Sequence, residues 1–261
     1  MTVLSITTDF GITNGFVGVM KGVIYGIAPD VKIDDISQLI SPQNVLEGAY
    51  AMWRAVPFFP PGSVHVGVVD PGVGTKRRPI GAHLGEQYFI APDNGLLTPL
   101  ILDAERNGEI IEFAHLDNPK YWLPKVSNTF HGRDIFAPTG AHLAAGIPLS
   151  ELGTPITDPI RLDMPRPEKT ENGWRAHVTI IDIFGNLTTD LPADALEDRR
   201  DVLIRIHGHE IDGVIESYGH REVGKLVAVV DSEDYIEISI VNGNAARTLN
   251  AKVGDVAEIL L

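Results

Sequence analysis

The sequence has no cysteine and few basic residues, and each shortage excludes classes of protein. Without cysteine there is no disulfide scaffold, no thiolate catalysis and no zinc site with sulfur ligands, which is compatible with a reducing compartment. Lys and Arg number 21 against 35 Asp and Glu, giving a formal net charge of -14. Nucleic acid and anionic membrane are therefore disfavoured as partners, because phosphate binding needs clustered positive charge.

Targeting signals and long apolar runs are also lacking. Residues 1–7 show no basic n-region followed by a long apolar h-region, and no uninterrupted apolar run approaches the ~18 residues of a membrane span. We therefore expect a soluble, cytoplasmic protein with no membrane partner. The chain has 261 residues, 44% apolar and 21% charged, which is the balance of one large globular domain or two modest ones.

The first half of the chain alternates strand-like and helix-like patterns. An apolar stripe at helical spacing runs from Phe16 to Ile27. A second helix is expected to begin with Ser41 as N-cap and Pro42 in its first turn. This alternation predicts an α/β domain with a mainly parallel sheet, in which sites collect at the carboxyl ends of strands. Three aspartates follow predicted strands: Asp9, Asp70 and Asp93.

A stretch rich in proline and charge divides the chain. It predicts a semi-rigid linker over residues 155–173, between an α/β domain at 1–154 and a second domain at 174–261. After the linker, short runs rich in Val and Ile are separated by Gly, Asp and Asn, the pattern of β-strands joined by turns. The carboxyl-terminal domain is therefore expected to be small and mainly β, a barrel or a sandwich.

Residues 70–78 place one carboxylate, two glycines and two guanidiniums at a predicted strand end. The charged groups are Asp70, Arg77 and Arg78. The structural alternative is a turn in which Asp70 caps the next segment. The spacing fits neither a Walker A loop nor a dinucleotide fingerprint, so nucleoside triphosphates and NAD are disfavoured.

Residues 129–134 place an imidazole, a guanidinium and a carboxylate before a helical pattern. His131 suits proton transfer, because histidine has an unperturbed pKa near neutrality. The alternative makes His131 a loop histidine, Arg133 a surface ion pair and Asp134 a helix cap. A metal site is disfavoured, because the chain has no His-x-x-x-His pair here and no histidines to match the aspartates at the strand ends.

A third group opens the second domain. Asp182, Phe184 and Asn186 could stack on and hydrogen-bond a purine, although a Gly-Asn turn with a core phenylalanine is the simpler interpretation. Ser232 and residues 242–246 also have the composition of turns.

Together these segments resemble the S-adenosyl-L-methionine (SAM) hydroxide adenosyltransferase family, whose relatives include fluorinase and chlorinase enzymes. The resemblance covers nearly the whole chain. The matching stretches are TTDFG at 7–11, GVMKG at 18–22, DIS at 35–37, VVDPGVGT at 68–75, APDNG at 91–95, TFHGRD at 129–134, DIFGN at 182–186 and GNAA at 243–246.

The resemblance implies a reaction, a fold and an assembly. Water or hydroxide would attack C5′ of the SAM ribose and give adenosine and L-methionine, with SAM as the substrate, no cofactor and no metal. The second domain would be a β-barrel, and a homotrimer would place each active site between the first domain of one subunit and the second domain of its neighbour.

The resemblance also implies roles for individual residues. The implied catalytic residues are Asp70, Arg77 and His131. The implied substrate-binding residues are Asp9 and Phe10 at the ribose, Phe184, Asn186 and Ala245 at the adenine, and Asp182 and Ser232 at the methionine end. Glu233 departs from the pattern, because halogenating relatives carry an arginine there for the methionine carboxylate. A halide-using SAM enzyme, a non-catalytic adenosine or SAM-binding module and, least favoured, a metal-dependent phosphoesterase stay as alternatives.

Overall fold

A computed structural model describes residues 2–261 and divides into two compact units, with the boundary after Leu162. The first unit contains a seven-stranded sheet in the order β2-β1-β3-β5-β4-β6-β7. Its strands are β1 (Val3–Thr8), β2 (Lys32–Ser37), β3 (Val64–Val68), β4 (Pro79–Leu84), β5 (Gln87–Pro92), β6 (Ile111–His115) and β7 (Thr154–Ile156).

The sheet is parallel over one half only. Strands β2, β1, β3 and β5 run parallel, whereas β4 is antiparallel to β5 and β6, and β7 is antiparallel to β6. The antiparallel part arises because β4 and β5 are joined by the two residues Gly85 and Glu86, and a link this short can only form a hairpin. The α/β class is confirmed.

Helices cover both faces of this sheet. They are α1 (Phe16–Ile27), α2 (Val45–Ala55), α3 (Thr98–Asn107), α4 (Ala137–Ala144) and α5 (Leu149–Leu152), with short turns at Val56–Phe58, Pro119–Tyr121 and Gly132–Phe136. One apolar cluster joins the sheet to residues of α1 and α4, including the fully buried Met20. A second joins it to α2 and α3, including the fully buried Met52. The result is a three-layer α/β/α arrangement.

The predicted start of α2 is wrong. Its N-cap is Asn44, whose side-chain oxygen accepts a hydrogen bond from the Glu47 amide at 3.1 Å, and Ser41 and Pro42 lie in the preceding loop. Gln43 adopts φ +65 just before the cap, so the loop turns once more before the helix begins.

The segment predicted as a linker is structured where it leaves the first unit. Its first residues form part of β7, and the Ile160 amide donates to Asp93 at 2.7 Å. Arg161 pairs with Glu105 through two hydrogen bonds of 2.9 and 2.6 Å. The boundary after Leu162 falls inside the range 155–173.

The second unit is a nine-stranded, largely antiparallel, barrel-like sheet. The path is β12-β11-β16-β9-β10-β15-β14-β13, with β8 paired to β9. The strands are β8 (Glu168–Thr170), β9 (Gly173–Ile181), β10 (Leu187–Pro192), β11 (Leu203–Ile206), β12 (His209–Asp212), β13 (Val214–Ile215), β14 (Leu226–Val230), β15 (Tyr235–Ile240) and β16 (Val256–Leu260). One helix, α6 (Ala245–Leu249), and short turns at Ala193–Leu196 and Tyr218–His220 complete it.

Candidate active site

Asp70 and Arg77 form a buried ion pair at the carboxyl end of β3. Nε of Arg77 donates to Oδ1 of Asp70 at 3.1 Å, and Nη2 donates to Oδ2. The two side chains are 5% and 6% exposed. Such a two-pronged, charge-assisted contact fixes the plane of the guanidinium.

His131 meets the same guanidinium from a segment more than fifty residues away. Nη2 of Arg77 lies 3.2 Å from Nδ1 of His131. Because a guanidinium can only donate, Nδ1 must accept, and the neutral ring therefore carries its proton on Nε2. Burial lowers the pKa of His131 below its usual 6.5, the charge of Arg77 lowers it further, and Asp70 offsets part of this. The imidazole is thus neutral at physiological pH.

One donor of Arg77 is left over. Nη1 is buried and has no hydrogen-bond partner anywhere in residues 2–261. The guanidinium carbon also lies 5.1 Å from the centre of the Phe136 ring, which holds it from one side. A buried cationic donor without a partner is costly in a folded protein, so the guanidinium is held by its contacts with Asp70, His131 and Phe136 and not through Nη1.

Gly74 allows the Asp70–Arg77 loop to approach the segment that carries His131. It adopts φ +74, and a Cβ built there would lie 2.2 Å from the backbone oxygen of Asn128. No larger residue fits without moving one backbone away from the other. The glycine therefore sets how closely the two halves of the cluster approach.

The neighbours of His131 are structural. Asp134 is fully buried, and its carboxylate accepts from the amide and hydroxyl of Ser127 at 2.8 and 2.6 Å and from Arg133 at 2.6 Å. Arg133 is therefore an ion-pair partner of Asp134, which is the role that the structural alternative predicts for it. His131 directly precedes Gly132–Phe136, a single π-helical turn, a feature that recurs at functional sites.

Asp9 lies at the same edge of the sheet, because β1 and β3 are parallel neighbours and both end there. Oδ2 of Asp9 accepts from the Gln43 amide at 2.7 Å. Phe10 is half-buried and packs edge-on against Phe16 and Phe130 at ring-centre distances of 5.9 and 5.7 Å. A carboxylate and an aromatic cluster thus follow the end of β1 in consecutive residues.

The third strand-end aspartate does not join this group. Asp93 is 1% exposed, pairs with Arg78 and accepts from the Ile160 amide, so both of its oxygens are occupied. Over residues 2–261, no three His, Asp or Glu side chains cluster in a way that could hold a metal ion.

In the second unit, one end of the sheet gathers most of the remaining candidates. Asp182 accepts from the amide and from Nδ2 of Asn186 at 2.8 and 2.9 Å. Their turn is tied to the start of α6 by a hydrogen bond from the Ala246 amide to the Gly185 oxygen at 2.9 Å, next to the fully buried Ala245.

Phe184 at the tip of that turn is not the core residue of the simpler interpretation, because it is 71% exposed. Ser232 lies in the exposed turn before β15, whereas Ala245 follows the end of β15. Asp231, next to Ser232, accepts from the Thr188 hydroxyl at 3.2 Å, two residues beyond Asn186. The structure therefore joins Asp182, Asn186 and Ala245 at one turn, with Phe184 at its tip, and places the turn of Ser232 beside the start of β10.

Comparison with known sequences decides the family. Residues 4–153 match the SAM hydroxide adenosyltransferase N-terminal domain, and residues 176–258 match the C-terminal domain of the same family. This chain belongs to the SAM hydroxide adenosyltransferase family. The resemblance deduced from the sequence motifs is confirmed.

Members of this family and its relatives match over nearly the full chain. A protein of Salinispora tropica named (R)-S-adenosyl-L-methionine hydrolase is 36% identical, over 97% of this chain and 95% of its own. The protein of the same name from Thermus thermophilus is 35% identical, over 95% of each chain. A fluorinase of Nocardia brasiliensis is 28% identical, over 97% and 94%.

Solved structures show the same fold. A crystal structure of an uncharacterized conserved protein from Thermotoga maritima superposes with a TM-score of 0.91 at 37% identity, covering 99% of this chain and all of that one. A conserved hypothetical protein from Thermus thermophilus gives 0.81 at 31% identity, with both chains fully covered.

Sequence reasoning missed a buried polar cluster in the second unit of this family member. Glu237 on β15 is 5% exposed, and its Oε1 accepts from the Tyr218 hydroxyl and the Ser239 hydroxyl, each at 2.7 Å. Burial raises the pKa of Glu237 above its usual range. A signal was present, since glutamate is unusual inside an apolar strand such as Ile236 to Ile240.

Within residues 2–261, none of the helices combines the length and the apolar composition that a membrane-spanning segment requires.

Proposed function

We propose that this enzyme hydrolyses SAM by attack of water or hydroxide at C5′ of the ribose, giving adenosine and L-methionine. The observation that carries the proposal is the cluster of Asp70, Arg77 and a neutral His131, in which one guanidinium contacts both of the other side chains. The relatives named SAM hydrolase, at 35–36% identity over nearly the whole chain, support the hydrolytic branch over the more distant fluorinases.

In this reaction the nucleophile needs activation, whereas the leaving group does not. As the new O–C5′ bond forms, the C5′–S bond breaks with its electron pair moving to sulfur, and the sulfonium leaves as a neutral thioether without an acid catalyst. Hydroxide is scarce at neutral pH, so the site must favour it. Nε2–H of His131 is a donor that would stabilise negative charge on a water oxygen, and the positive charge of Arg77 beside the ring would add to that effect.

The water must also lose one proton. Within the cluster, the acceptors are the Asp70 carboxylate and Nδ1 of His131, and each already accepts from Arg77. Asp70 has about four lone-pair sites and uses two for Arg77, so it can accept the proton with both contacts in place, whereas Nδ1 of His131 has one lone pair and must first lose its contact with Arg77. A proton on Asp70 neutralises that carboxylate, and the new hydroxide supplies the negative charge that balances Arg77.

Substrate contacts follow the assignments implied by the family. Asp9 would accept the ribose hydroxyls beside Phe10, and Phe184, Asn186 and the backbone near Ala245 would hold the adenine. Asp182 and Ser232 would take the methionine end. The support is the clustering of the adenine residues at one turn, with Phe184 exposed and available for stacking.

A comparison of two adjacent arginines tests the catalytic assignment. Arg77→Gln should lower kcat by ~10² or more while SAM affinity, measured by calorimetry, changes much less. Arg78→Gln is the matched control, because Arg78 pairs with Asp93 and Asp158 and faces away from His131. Asp70→Asn and His131→Ala should resemble Arg77→Gln. Equal turnover in the Arg77 and Arg78 variants would overturn the assignment.

We also propose the homotrimer that the family resemblance implies. Each unit of the chain exposes large apolar side chains that a neighbouring copy would cover: Ile12 at 74% in the first unit, and Ile183 at 93% in the second. Sedimentation equilibrium should give three times the chain mass of 28.4 kDa. A monomeric mass at micromolar concentration would refute the trimer. The cytoplasmic location stays a prediction from the sequence.

A further inference from the structure

Two of the sequence stretches that match the family, residues 18–22 and 35–37, contain none of the proposed catalytic or substrate-binding residues, and they meet in the structure. Lys21 on α1 and Asp35 on β2 form an ion pair, with Nζ and Oδ2 2.7 Å apart. The other oxygen of Asp35 accepts from Nε2 of Gln38 at 3.1 Å. A line of polar contacts thus runs from the surface of α1 to a residue that is only 6% exposed.

Gln38 in turn binds the backbone and side chains on both sides of Asp9. Before Asp9, its Oε1 accepts from the Thr8 hydroxyl at 2.6 Å, and its Nε2 donates to the Ile6 oxygen at 3.1 Å. After Asp9, its backbone oxygen accepts from the Gly11 amide at 2.8 Å. The Thr8 hydroxyl oxygen also accepts from the Phe10 amide at 3.1 Å, which closes the turn.

The carboxylate of Asp9 has one further constraint. Among residues 2–261 its only hydrogen-bond partner is the Gln43 amide, at 2.7 Å on Oδ2. Gln43 reaches this position in the left-handed region, with φ +65, which a glutamine seldom adopts. Oδ1 therefore has no hydrogen-bond partner among residues 2–261, while Oδ2 is held by the Gln43 amide.

We propose that Gln38, supported by Asp35 and Lys21, is a positioning residue that holds the Thr8–Gly11 turn so that the Asp9 carboxylate meets the two vicinal hydroxyls of a ribose. The inference rests on the proposed function, in which Asp9 is the ribose-binding carboxylate. Gln38 touches no substrate itself.

The contacts predict a graded effect. Gln38 is buried and uses both side-chain polar atoms, so replacing it leaves the Thr8 hydroxyl and the Ile6 oxygen without their partners. The Lys21 and Asp35 side chains are 30% and 40% exposed, so water screens their pairing and replaces it at small cost. Loss of Gln38 should therefore matter much more than loss of Lys21.

The test measures selectivity for the diol. Adenosine and 2′,3′-dideoxyadenosine are bound to the full-length protein by calorimetry, in wild type and in Gln38→Leu. Wild type should prefer adenosine, and Gln38→Leu should reduce that preference roughly tenfold by weakening adenosine alone, as the loss of about one charged hydrogen bond would. The KM for SAM should rise with a smaller change in kcat.

Two controls separate positioning from general damage. Gln87→Leu removes a half-buried glutamine on β5, which donates to the Phe59 oxygen at 3.0 Å, and should lower the melting temperature without changing the preference for adenosine. Lys21→Gln should change the preference less than threefold, and Lys32→Gln, an exposed charge on β2, should not change it. Gln38→Asn, which keeps the amide, should recover part of the preference.

Each outcome decides the proposal. An unchanged adenosine preference in folded Gln38→Leu would overturn it, as would equal binding of both nucleosides by wild type. Both of these results are measured by nucleoside binding, which does not depend on SAM turnover. If wild type failed to turn over SAM, the proposed reaction would be refuted, and the binding measurements would still test the role of Gln38.

Discussion

Lowering the pH should destabilise the first unit through His65, a histidine remote from the proposed chemistry. The ring is fully buried on β3, with its centre 5.1 Å from that of Phe59 and 5.2 Å from that of Phe89. Nδ1 lies 2.6 Å from the Ser5 hydroxyl. Burial lowers the pKa of His65 from 6.5 to about 4, and the neighbouring Gln87 offsets only part of that effect.

The sign and size follow from proton linkage. Below pH 6.5 the unfolded chain binds a proton that the folded chain does not, so the free energy of unfolding falls as the pH falls. The loss continues to about pH 4, where folded His65 also titrates. At 1.36 kcal/mol per pKa unit, the whole loss is about 3 kcal/mol, of which about 2 kcal/mol develops between pH 6.5 and 5.0. That is a large share of a typical stability of ~5–15 kcal/mol.

Urea unfolding followed by tryptophan fluorescence measures this effect. We expect the free energy of unfolding of wild type to fall about 2 kcal/mol further between pH 7.5 and 5.0 than that of His65→Gln, which has no titrating ring. His209→Gln, which removes an exposed histidine, is the control and should follow wild type. Parallel pH profiles for wild type and His65→Gln would refute the reasoning.

Three further predictions concern the site. Gly74→Ala should lower kcat/KM by tenfold or more and should also lower the melting temperature, because the added Cβ would clash with Asn128. Gly62→Ala is the control: Gly62 also has a positive φ, +78, but lies in open space, so this change should lower stability alone. Unchanged turnover in Gly74→Ala would contradict the role of the close approach at Gly74. Asp9→Ala should weaken adenosine binding by ~10-fold or more, since bonds to a charged acceptor contribute ~1.5–3 kcal/mol each, and an unchanged dissociation constant would refute its role. Turnover should be the same with and without EDTA, and loss in chelator that returns with added metal would contradict the proposed chemistry.

Local sequence patterns predicted the framework of the first unit because they record burial directly. The stripe from Phe16 to Ile27 matches α1 at both ends, and the aspartates after β1 and β3 do lie at one edge of the sheet. The start of α2 was missed because a left-handed Gln43 delays the helix until Asn44 can cap it. A backbone turn of that kind leaves little trace in hydrophobic periodicity.

The site was harder to predict, since it depends on which way neighbouring side chains point. Arg77 and Arg78 are adjacent and chemically identical, yet Arg77 turns to Asp70 and His131, and Arg78 turns to Asp93 and Asp158. No spacing rule separates them, and only the family resemblance assigned Arg77. Long-range partners such as these are set by tertiary packing and cannot be deduced from local composition.

The central claim, hydrolysis of SAM at C5′, is tested most directly by analysing the products formed in halide-free buffer made with oxygen-18 water. Liquid chromatography and mass spectrometry should show adenosine and L-methionine in equal amounts, with one oxygen-18 atom in adenosine and none in methionine. Intact SAM, or cleavage that leaves sulfur attached to the ribose, would contradict the account. A 5′-halo-5′-deoxyadenosine formed in preference to adenosine after halide is added would assign the chain to the halogenating branch instead.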